Sequence, residues 1–413
     1  PSPAFGGADD APTFGTPEVA SPSRATAPPR PSWRHPDSGD AFYPKELDGA
    51  VYDCFSLRVV FERGRTGFEE SKELPIRENS VVAARFRMLE HLGTASFSTA
   101  VKCLDMQTNR LVCMKIIRND KDILDQSLDE IKLLRIIKAN AQDIDAMCCL
   151  DLVDYFYFRE HLIIVTELLR ENLYDFSRAN REHGDPPYFT LGRLQRIARQ
   201  VLTALDYVHG LSLIHADLKP ENILMKSHSR CEVKVIDFGS SCFVGDYLTS
   251  YVQSRSYRAP EVILGLPYDQ KIDLWSLGCV LAELWTGSML FPNDSVQSLL
   301  ARMASILGPF PPNMLAQGAQ AHRYFTADGR LYQLQGGPQE EAGGAFSALQ
   351  PPQPRRALLY LPKHSSLRQR MRTEDERFVD FLGQLLRLDP TSRLTAQQAL
   401  SHPWLSRGLY SDG

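Results

Sequence analysis

Short apolar runs of the strand type dominate the chain between residues 85 and 167. In these runs large apolar residues alternate with polar ones, or fill a short stretch rich in β-branched side chains, as strands do. One longer stretch, Asp122–Ala139, instead repeats its apolar residues at helical spacing. The predicted strands are Arg85–Leu92, Thr99–Asp105, Leu111–Ile117, Leu152–Phe158 and Leu162–Thr166. The pattern predicts a small β-sheet that carries one helix.

Helical periodicity takes over after Leu173. From Leu191 to Val208 the apolar residues recur at steps of three and four, and Gly210 is placed to end that helix. Further helices are predicted at Asp269–Trp285, Ser295–Leu307, Glu374–Arg387 and Ala396–Ser401. The chain is therefore expected to be an α+β protein of two lobes, a β-rich first lobe at 86–167 and a mainly helical second lobe at 170–405.

Composition changes around and within these lobes. Residues 1–40 are dense in Pro, Ser, Ala and Gly and are predicted to be disordered. Residues 41–85 contain an alternating run, Phe55–Phe61, that predicts a strand, so they are expected to form an extension that packs on the first lobe. A stretch rich in Gly, Pro and Gln at about 308–367 predicts a long loop or insert, and 406–413 form a tail.

Charge and cysteine content exclude several classes of function. With a net charge of −4, the chain has no electrostatic basis for nucleic acid or an anionic membrane as its main partner. Its eight cysteines are scattered, so they indicate neither a zinc site nor a redox dithiol. No apolar run approaches the roughly 20 residues that span a bilayer. The expectation is a cytoplasmic or nuclear protein with reduced thiols.

The stretch His215–Asn222 matches the catalytic-loop pattern of phosphoryl transfer to a hydroxyl group. In that pattern Asp217 accepts the hydroxyl proton, Lys219 lies near the transferred phosphate, and Asn222 ligates magnesium. Asp237 begins an Asp-Phe-Gly sequence behind an apolar strand, which would bring a second hard oxygen ligand into a cleft. Asn222 and Asp237 are therefore the predicted metal ligands.

Two charged residues farther upstream fit the same chemistry. Lys115 ends an apolar strand, which would place its ammonium group inside the cleft, and Glu130 lies on the predicted helix. Phosphoryl transfer needs a cation on the nucleotide phosphates, and a paired Glu can hold that cation there. A lone strand Lys and helix Glu are usually surface charges. The motifs that follow in matching order favour the catalytic interpretation.

Two later motifs continue that order. Ala259–Glu261 and Asp273–Gly278 are similar to the end of an activation segment and to the buried helix that follows it. Glu261 is expected to pair with Arg393. The alternative interpretation is that these residues are ordinary helix caps and surface charges.

With these motifs in place, the sequence resembles the eukaryotic protein kinases over residues 86–405. It is similar to the CMGC group through Arg258 ahead of Ala-Pro-Glu and through the insert after Pro309. It is further similar to the dual-specificity tyrosine-regulated kinases, the DYRK family, through Asp237–Phe243 and Ser250–Arg258. The resemblance implies the bilobal protein kinase fold.

Three stretches look most like the plant and green-algal branch of that family: Arg65–Glu70, Asp125–Glu130 and Tyr157–His161. The resemblance implies that the chain uses ATP and Mg²⁺ and transfers the γ-phosphoryl group to Ser or Thr of protein substrates. It also implies a preference for proline after the acceptor, at a position shaped by Arg258. Proline fits there because it has no N–H that would be left unpaired.

The resemblance further implies that the chain activates itself by phosphorylating Tyr251. This residue occupies the second tyrosine position of the family's activation-loop Tyr-x-Tyr, and Thr249 stands at the first. Ala216 replaces the usual Arg of His-Arg-Asp, so the usual partner of an activation-loop phosphate is missing. Arg255 and Arg258 are the nearby guanidinium groups expected to pair with the phosphate.

The predicted nucleotide site departs from the family in one loop. The pattern G-x-G-x-x-G has Gly93 at its first glycine but Ala95 and Ser98 at the other two, where glycine lets the backbone approach phosphate. We therefore expect a lower nucleotide affinity. Thr166 aligns with the position that gates the pocket behind adenine, and main-chain groups around Glu167–Leu169 would meet the adenine edge.

Two other functions remain open. A pseudokinase scaffold, which uses the same fold to bind partners, is suggested by the glycine-poor loop, although every catalytic residue named above is present. A small-molecule phosphotransferase with a kinase-like cleft is disfavoured by Tyr251–Glu261, a segment suited to docking peptides.

Overall fold

The computed structural model describes most of both predicted lobes. Its described residues are 45–47, 50–52, 55–64, 71–183, 186–246, 252–335, 356–360, 364–406, 408 and 410. The predicted disordered segment 1–40 and most of the tail 406–413 lie outside these ranges. Within them, no helix combines the length and the apolar character needed to cross a membrane.

The first lobe is a seven-stranded sheet with one long helix. In chain order the elements up to residue 167 are β1 (Lys45–Leu47), β2 (Ala50–Tyr52), β3 (Val59–Val60), β4 (Val81–Val82), β5 (Phe86–Thr94), β6 (Ser98–Asp105), β7 (Arg110–Ile117), α1 (Lys121–Asn140), β8 (Leu152–Phe158) and β9 (His161–Glu167). The sheet order is β3-β8-β9-β7-β6-β5-β4, and β1 and β2 form a separate hairpin. The five strands predicted between residues 85 and 167 are therefore all present.

Helix α1 is held by a cap and by one apolar face. The Asp120 side chain accepts the N–H of Asp122, which satisfies a donor that the first helical turn leaves unpaired. Ile131, Leu134 and Ile137 are fully buried along one face. This anchoring fixes the rotation of the helix about its axis. It therefore also fixes the direction in which Glu130, the residue before Ile131, points.

The extension before residue 86 contributes one short strand to each edge of the sheet. β3 pairs in parallel with β8, and β4 pairs antiparallel with β5. Arg58 and Arg85 both donate to Asp154 Oδ2, at 2.8 and 2.7 Å. These ion pairs tie the extension to the sheet.

The strand predicted at Phe55–Phe61 was too long. Only Val59–Val60 enter the ladder, beside Tyr157 and Phe158. Phe55 instead packs edge-on against Tyr155, with ring centroids 5.8 Å apart. The start of the segment therefore packs against a side chain of β8 without joining the ladder.

The second lobe is built around a buried helix, α5. Its elements are α2 (Leu173–Glu182), α3 (Leu191–Gly210), β10 (Leu213–Ile214), β11 (Ile223–Ser227), β12 (Glu232–Val235), β13 (Cys242–Phe243), α4 (Pro260–Leu264), α5 (Lys271–Thr286), α6 (Val296–Leu307), α7 (Pro312–Gln317), β14 (Tyr332–Gln335), β15 (Arg356–Leu359), α8 (Leu367–Met371), α9 (Glu376–Leu385) and α10 (Ala396–Leu400). Helix α5 is buried from Ile272 to Leu284, because every face of it meets apolar neighbours. The predicted bilobal α+β fold is confirmed.

The predicted loop at about 308–367 contains regular structure, which corrects that interpretation. Helix α7 and the antiparallel pair β14 and β15 lie in it. The rings of Phe310 and Phe325 are both buried, with centroids 5.2 Å apart. These few aromatic residues supply a small core that the Gly and Pro content of the stretch conceals. Residues 336–355 lie outside the described part of the chain.

Candidate active site

An ion pair between a partly buried lysine and a buried carboxylate joins the sheet to helix α1. Lys115 Nζ on β7 lies 2.8 Å from Glu130 Oε1 and 2.7 Å from Oε2 on α1. Burial alone would lower the pKa of Lys115, but the charges of Glu130 and Asp237 outweigh it and raise the pKa. The lysine therefore remains a cation in the cleft. The pairing predicted from the sequence is present.

The catalytic loop holds one carboxylate from several sides. Asp217 Oδ2 accepts from Lys219 Nζ at 2.6 Å and from Asn222 Nδ2 at 3.3 Å. Asp217 Oδ1 accepts from the Ser254 hydroxyl at 2.7 Å and from the Ser254 N–H at 3.0 Å. Charge-assisted bonds of this kind fix the direction of a carboxylate. One face of Asp217 borders a cavity of about 580 Å³.

The loop before Asp217 is kept in an uncommon backbone conformation. Ala216 has φ of 63°, a region that a residue with a Cβ rarely adopts. Asp273 of α5 compensates by accepting the N–H groups of His215 and Ala216 at 2.8 and 2.9 Å. The His215 ring also contacts the Ile236 carbonyl oxygen at 3.0 Å. The buried helix thus presents Asp217 at the cleft.

Of the predicted metal ligands, Asn222 contacts this carboxylate and Asp237 follows β12. The Asn222 amide nitrogen donates to the Asp217 carbonyl at 2.9 Å, which leaves its amide oxygen for a cation. Asp237 has φ of 63°, and its Oδ1 lies beside Gly239, as does Glu130 Oε2. In the described part of the chain, no group of three or more His, Cys, Asp or Glu side chains forms a complete metal cage. Two oxygen ligands fit an ion that keeps waters and binds substrate phosphates.

The glycine-poor loop forms a tight turn between β5 and β6. The Ala95 N–H donates to the Ser98 carbonyl at 2.8 Å. A Cβ added at Gly93 would meet no atom within 4 Å, so this glycine leaves open space above the loop. Ala95 is exposed at the tip, whereas Ser98 is buried where β6 begins. The side chains at the two altered positions therefore have different surroundings.

The segment that links the lobes is fixed by one carboxylate. Glu167, the last residue of β9, uses Oε1 to accept the Asp151 N–H at 2.8 Å and to bind Lys234 Nζ. Thr166, the predicted gate, is buried and donates to the Glu167 carbonyl at 3.2 Å. Leu169 follows beyond the last paired residue of the strand. Sequence reasoning assigned only main-chain groups here and missed the role of the Glu167 side chain.

The activation segment contains a second strained residue. Gln253 has φ of 65°, and its buried side chain accepts the Ala259 N–H at 2.9 Å and donates to the Ile272 carbonyl at 3.0 Å. Its own carbonyl oxygen accepts from Arg258 Nη2 at 2.8 Å. The carbonyl just before Ser254 is thereby bonded to Arg258.

The predicted phosphorylation site, Tyr251, lies outside the described residues. Of its predicted partners, Arg258 binds the carbonyls of Val252 and Gln253, and Arg255 borders the 580 Å³ cavity together with Arg258. Both guanidinium groups are therefore close to the end of the segment that carries Tyr251. Their pairing with a phosphate stays a prediction.

The predicted pair of Glu261 and Arg393 is present and completely buried. Arg393 Nη1 and Nη2 lie 2.6 and 2.9 Å from the two carboxylate oxygens of Glu261, and both side chains are 0% exposed. Arg393 also donates to the carbonyls of Lys271 and Arg387 at 3.0 Å. The pair locks the end of the activation segment to the helices below it.

Comparison with known proteins identifies the family to which this fold belongs. A family model described as the protein kinase domain matches residues 86–405. The chain belongs to the protein kinase family. Kinases of this family use a nucleotide and a divalent metal, for which Lys115, Asn222 and Asp237 provide the groups described above.

The relatives of this kinase are DYRK proteins, which confirms that resemblance. It is 39% identical over 333 residues to "Probable serine/threonine-protein kinase dyrk2" of Dictyostelium discoideum, covering 81% of this chain and 34% of the relative. It is 39% identical over 330 residues to human "Dual specificity tyrosine-phosphorylation-regulated kinase 4", covering 79% of this chain and 59% of the relative. The kinase "pom1" of Schizosaccharomyces pombe is 37% identical over 328 residues, covering 79% of this chain and 28% of the relative. The kinase thus spans between 28% and 59% of these relatives. The plant and green-algal branch stays a prediction.

Sequence reasoning missed several residues of the kinase site. Ser254 binds Asp217, and Asp273 supports the catalytic loop, although each is far from its partner in the sequence. Cys113 is paired with Thr166 across β7 and β9, two residues before Lys115, so its thiol shares a sheet face with that lysine. Cys113 could have been found from the sequence, because it stands where the family pattern V-A-I-K has Ala.

Proposed function

We propose that this kinase transfers the γ-phosphoryl group of ATP, with Mg²⁺, to Ser and Thr hydroxyl groups of proteins. One observation carries the proposal. The Asp217 carboxylate is held by Lys219, Ser254 and Asn222 and borders an open cavity, and the pair of Lys115 and Glu130 is intact. A scaffold that only binds partners has no need to keep both the bonds around Asp217 and the pair of Lys115 and Glu130.

The chain's own residues divide the work of transfer. Asp217 orients the acceptor hydroxyl and takes the proton of that hydroxyl. At the same time the hydroxyl oxygen forms a bond to the γ-phosphorus, and the bond between that phosphorus and the ADP oxygen breaks. Lys115 and Lys219 supply positive charge to the phosphates. Because both side chains are partly buried, water screens this attraction less than it would at the surface. When bound, Mg²⁺ supplies further charge neutralisation, and Asn222 and Asp237 are the residues that would hold it.

The test of this function uses the full chain and its inactive counterpart. The wild-type chain, incubated with Mg²⁺, ATP and casein, is expected to leave phosphate on Ser and Thr that peptide mass spectrometry locates. The Asp217→Asn variant is expected to bind nucleotide but to leave casein unmodified. Wild-type protein that binds nucleotide and modifies no protein would favour the scaffold instead.

A preference for proline after the acceptor is part of the proposal. The Gln253 carbonyl, which precedes Ser254, accepts from Arg258, so it is already engaged when a substrate binds. A substrate residue with an N–H would lose a partner there, whereas proline has none to lose. Two peptides that differ only in Pro or Ala after the acceptor Ser provide the test. Equal kcat/KM values for the two would contradict the preference.

Autophosphorylation of Tyr251 completes the proposed activity. Support comes from the two guanidinium groups of Arg255 and Arg258 beside the cavity at the end of this segment. Wild-type protein made in bacteria, which lack other kinases of this type, is expected to carry phosphotyrosine at residue 251. The Lys115→Met variant is expected to lack it, and Tyr251→Phe is expected to lose activity. Unmodified Tyr251 in a fully active preparation would overturn this part.

We place the action of the kinase in the cytoplasm or the nucleus. Seven cysteines in the described part of the chain are free thiols, which suits a reducing compartment. Microscopy of the tagged full-length protein in cells tests this, and exclusive secretion would contradict it.

A further inference from the structure

A lysine of the second lobe is buried at the point where the two lobes meet. Lys234 lies on β12, three residues before Asp237, and its side chain is 1% exposed. A buried ammonium group is costly unless it is paired. Its Nζ lies 2.5 Å from Glu167 Oε1 and 2.5 Å from Asp145 Oδ1. The cost of burial is thus offset by two carboxylates at once.

Both of these carboxylates belong to the other lobe. Glu167 ends β9, and Asp145 lies in the loop between α1 and β8. Asp145 has a second cation, Lys226 on β11, which is 33% exposed. The carboxylate of Glu167, by contrast, is bound by Lys234 and by the Asp151 N–H. Lys234 is therefore the cation that ties the end of β9 to the second lobe.

Main-chain hydrogen bonds beside the lysine also connect the second lobe to the linking segment and to the first lobe. The N–H of Arg170 donates to the Met225 carbonyl at 2.8 Å, and the Met225 N–H donates to the Glu171 carbonyl at 3.0 Å. On the other side, the Val235 N–H donates to the Cys148 carbonyl at 2.9 Å. The hairpin of β11 and β12 thus bonds both to the linking segment and to the loop before β8, and the side chain of Lys234 binds one carboxylate from each.

We propose that Lys234 is a positioning residue that fixes the peptide groups at Glu167–Leu169 for the nucleotide base. This inference rests on the proposed function, because it assigns those peptide groups to the adenine edge. A segment held in its binding conformation before the nucleotide arrives does not have to be ordered during binding. Without the lysine, only a fraction of molecules would hold that conformation, and the apparent Kd would rise in proportion.

The experiment uses the full chain and three variants: Lys234→Met, Lys226→Met and the double variant Lys234→Met with Glu167→Gln. Lys226→Met is the matched control, because it removes a cation from Asp145 but leaves Glu167 bound. In the double variant no uncompensated charge remains at residue 167, and Gln can still accept the Asp151 N–H. The Kd of Mg²⁺ with a non-hydrolysable ATP analogue is measured by calorimetry, and the free energy of unfolding is measured in urea without nucleotide.

Lys234→Met is expected to raise the Kd about tenfold, within the range of coupling between residues in one network. Lys226→Met is expected to leave it within about twofold. The double variant is expected to regain stability relative to Lys234→Met while its Kd stays raised. If the double variant regains both, or if Lys234→Met binds as tightly as wild type, the lysine only balances charge and the inference is wrong. Wild-type protein that binds no nucleotide would overturn the proposed function and this inference with it, whereas the other two outcomes leave the proposed function standing.

Discussion

Removing the hydroxyl group of Ser254 is expected to slow phosphoryl transfer without unfolding the kinase. The hydroxyl donates to Asp217 Oδ1 at 2.7 Å and lies 3.2 Å from Lys219 Nζ. In Ser254→Ala the main-chain N–H at 3.0 Å remains as the donor to the same oxygen. The carboxylate therefore keeps its place but loses one of the bonds that fix its direction.

The expected size of the effect follows from the type of bond. A hydrogen bond to a charged group contributes about 1.5–3 kcal/mol. At about 1.4 kcal/mol for each factor of ten, its loss should lower kcat/KM roughly 10- to 100-fold. Ser254→Thr retains the hydroxyl and should recover most of the activity.

The assay is steady-state transfer to a protein substrate, with thermal melting measured on the same samples. Ser256→Ala is the matched control, because Ser256 is a buried serine of the same segment whose hydroxyl contacts Met289 Sδ at 3.4 Å. Ser256→Ala should keep kcat/KM within about threefold of wild type, as a bond to a thioether is weak. Wild-type rates in Ser254→Ala, or equal losses in both alanine variants, would refute the reasoning.

Three further predictions concern other parts of the site. Lys115→Met and Asp237→Asn should each lower turnover by roughly two orders of magnitude or more while melting as the wild type does, because transition-state charge would lose a stabilising group; near-normal turnover would mean that the assigned site is wrong. Replacing Ala95 and Ser98 by Gly together should lower the KM for ATP, since the backbone could approach the phosphates more closely, and an unchanged or raised KM in a steady-state ATP titration would refute this steric argument. Arg393→Met should lower the free energy of unfolding in urea by about 3–5 kcal/mol, because it leaves a buried carboxylate without its partner; a loss below about 1 kcal/mol would show that water reaches the site.

The positions of the candidate catalytic residues were predictable because their motifs are local and occur in a fixed order. Lys115, Glu130, Asp217 and Asn222 lie where strand ends, helix spacing and the catalytic loop place them. The strands between residues 85 and 167 were also predicted, with ends that differ by one or two residues.

Contacts between distant parts of the chain were not predictable in the same way. Ser254 and Asp217 are 37 residues apart, and Lys234 and Glu167 are 67 apart. A serine and a lysine are common in surface segments, so nothing in the local pattern marks either one as a partner in the site. At Phe55 the opposite error occurred, because an aromatic contact with Tyr155 overrode the alternating pattern.

Strands β3 and β4 of the extension have a consequence for the handling of this protein. β3 pairs with Tyr157 and Phe158 at the end of β8, and β4 pairs with Phe86 and Arg87 at the start of β5, so each covers part of one outer edge of the sheet. A fragment cut at residue 86, where the family match begins, would uncover these parts of both edges and leave them open to pairing with other molecules. The boundary suggested by similarity is therefore a poor place to start an expressed fragment, and one that retains residues 55–85 should stay monodisperse at concentrations where the shorter one aggregates.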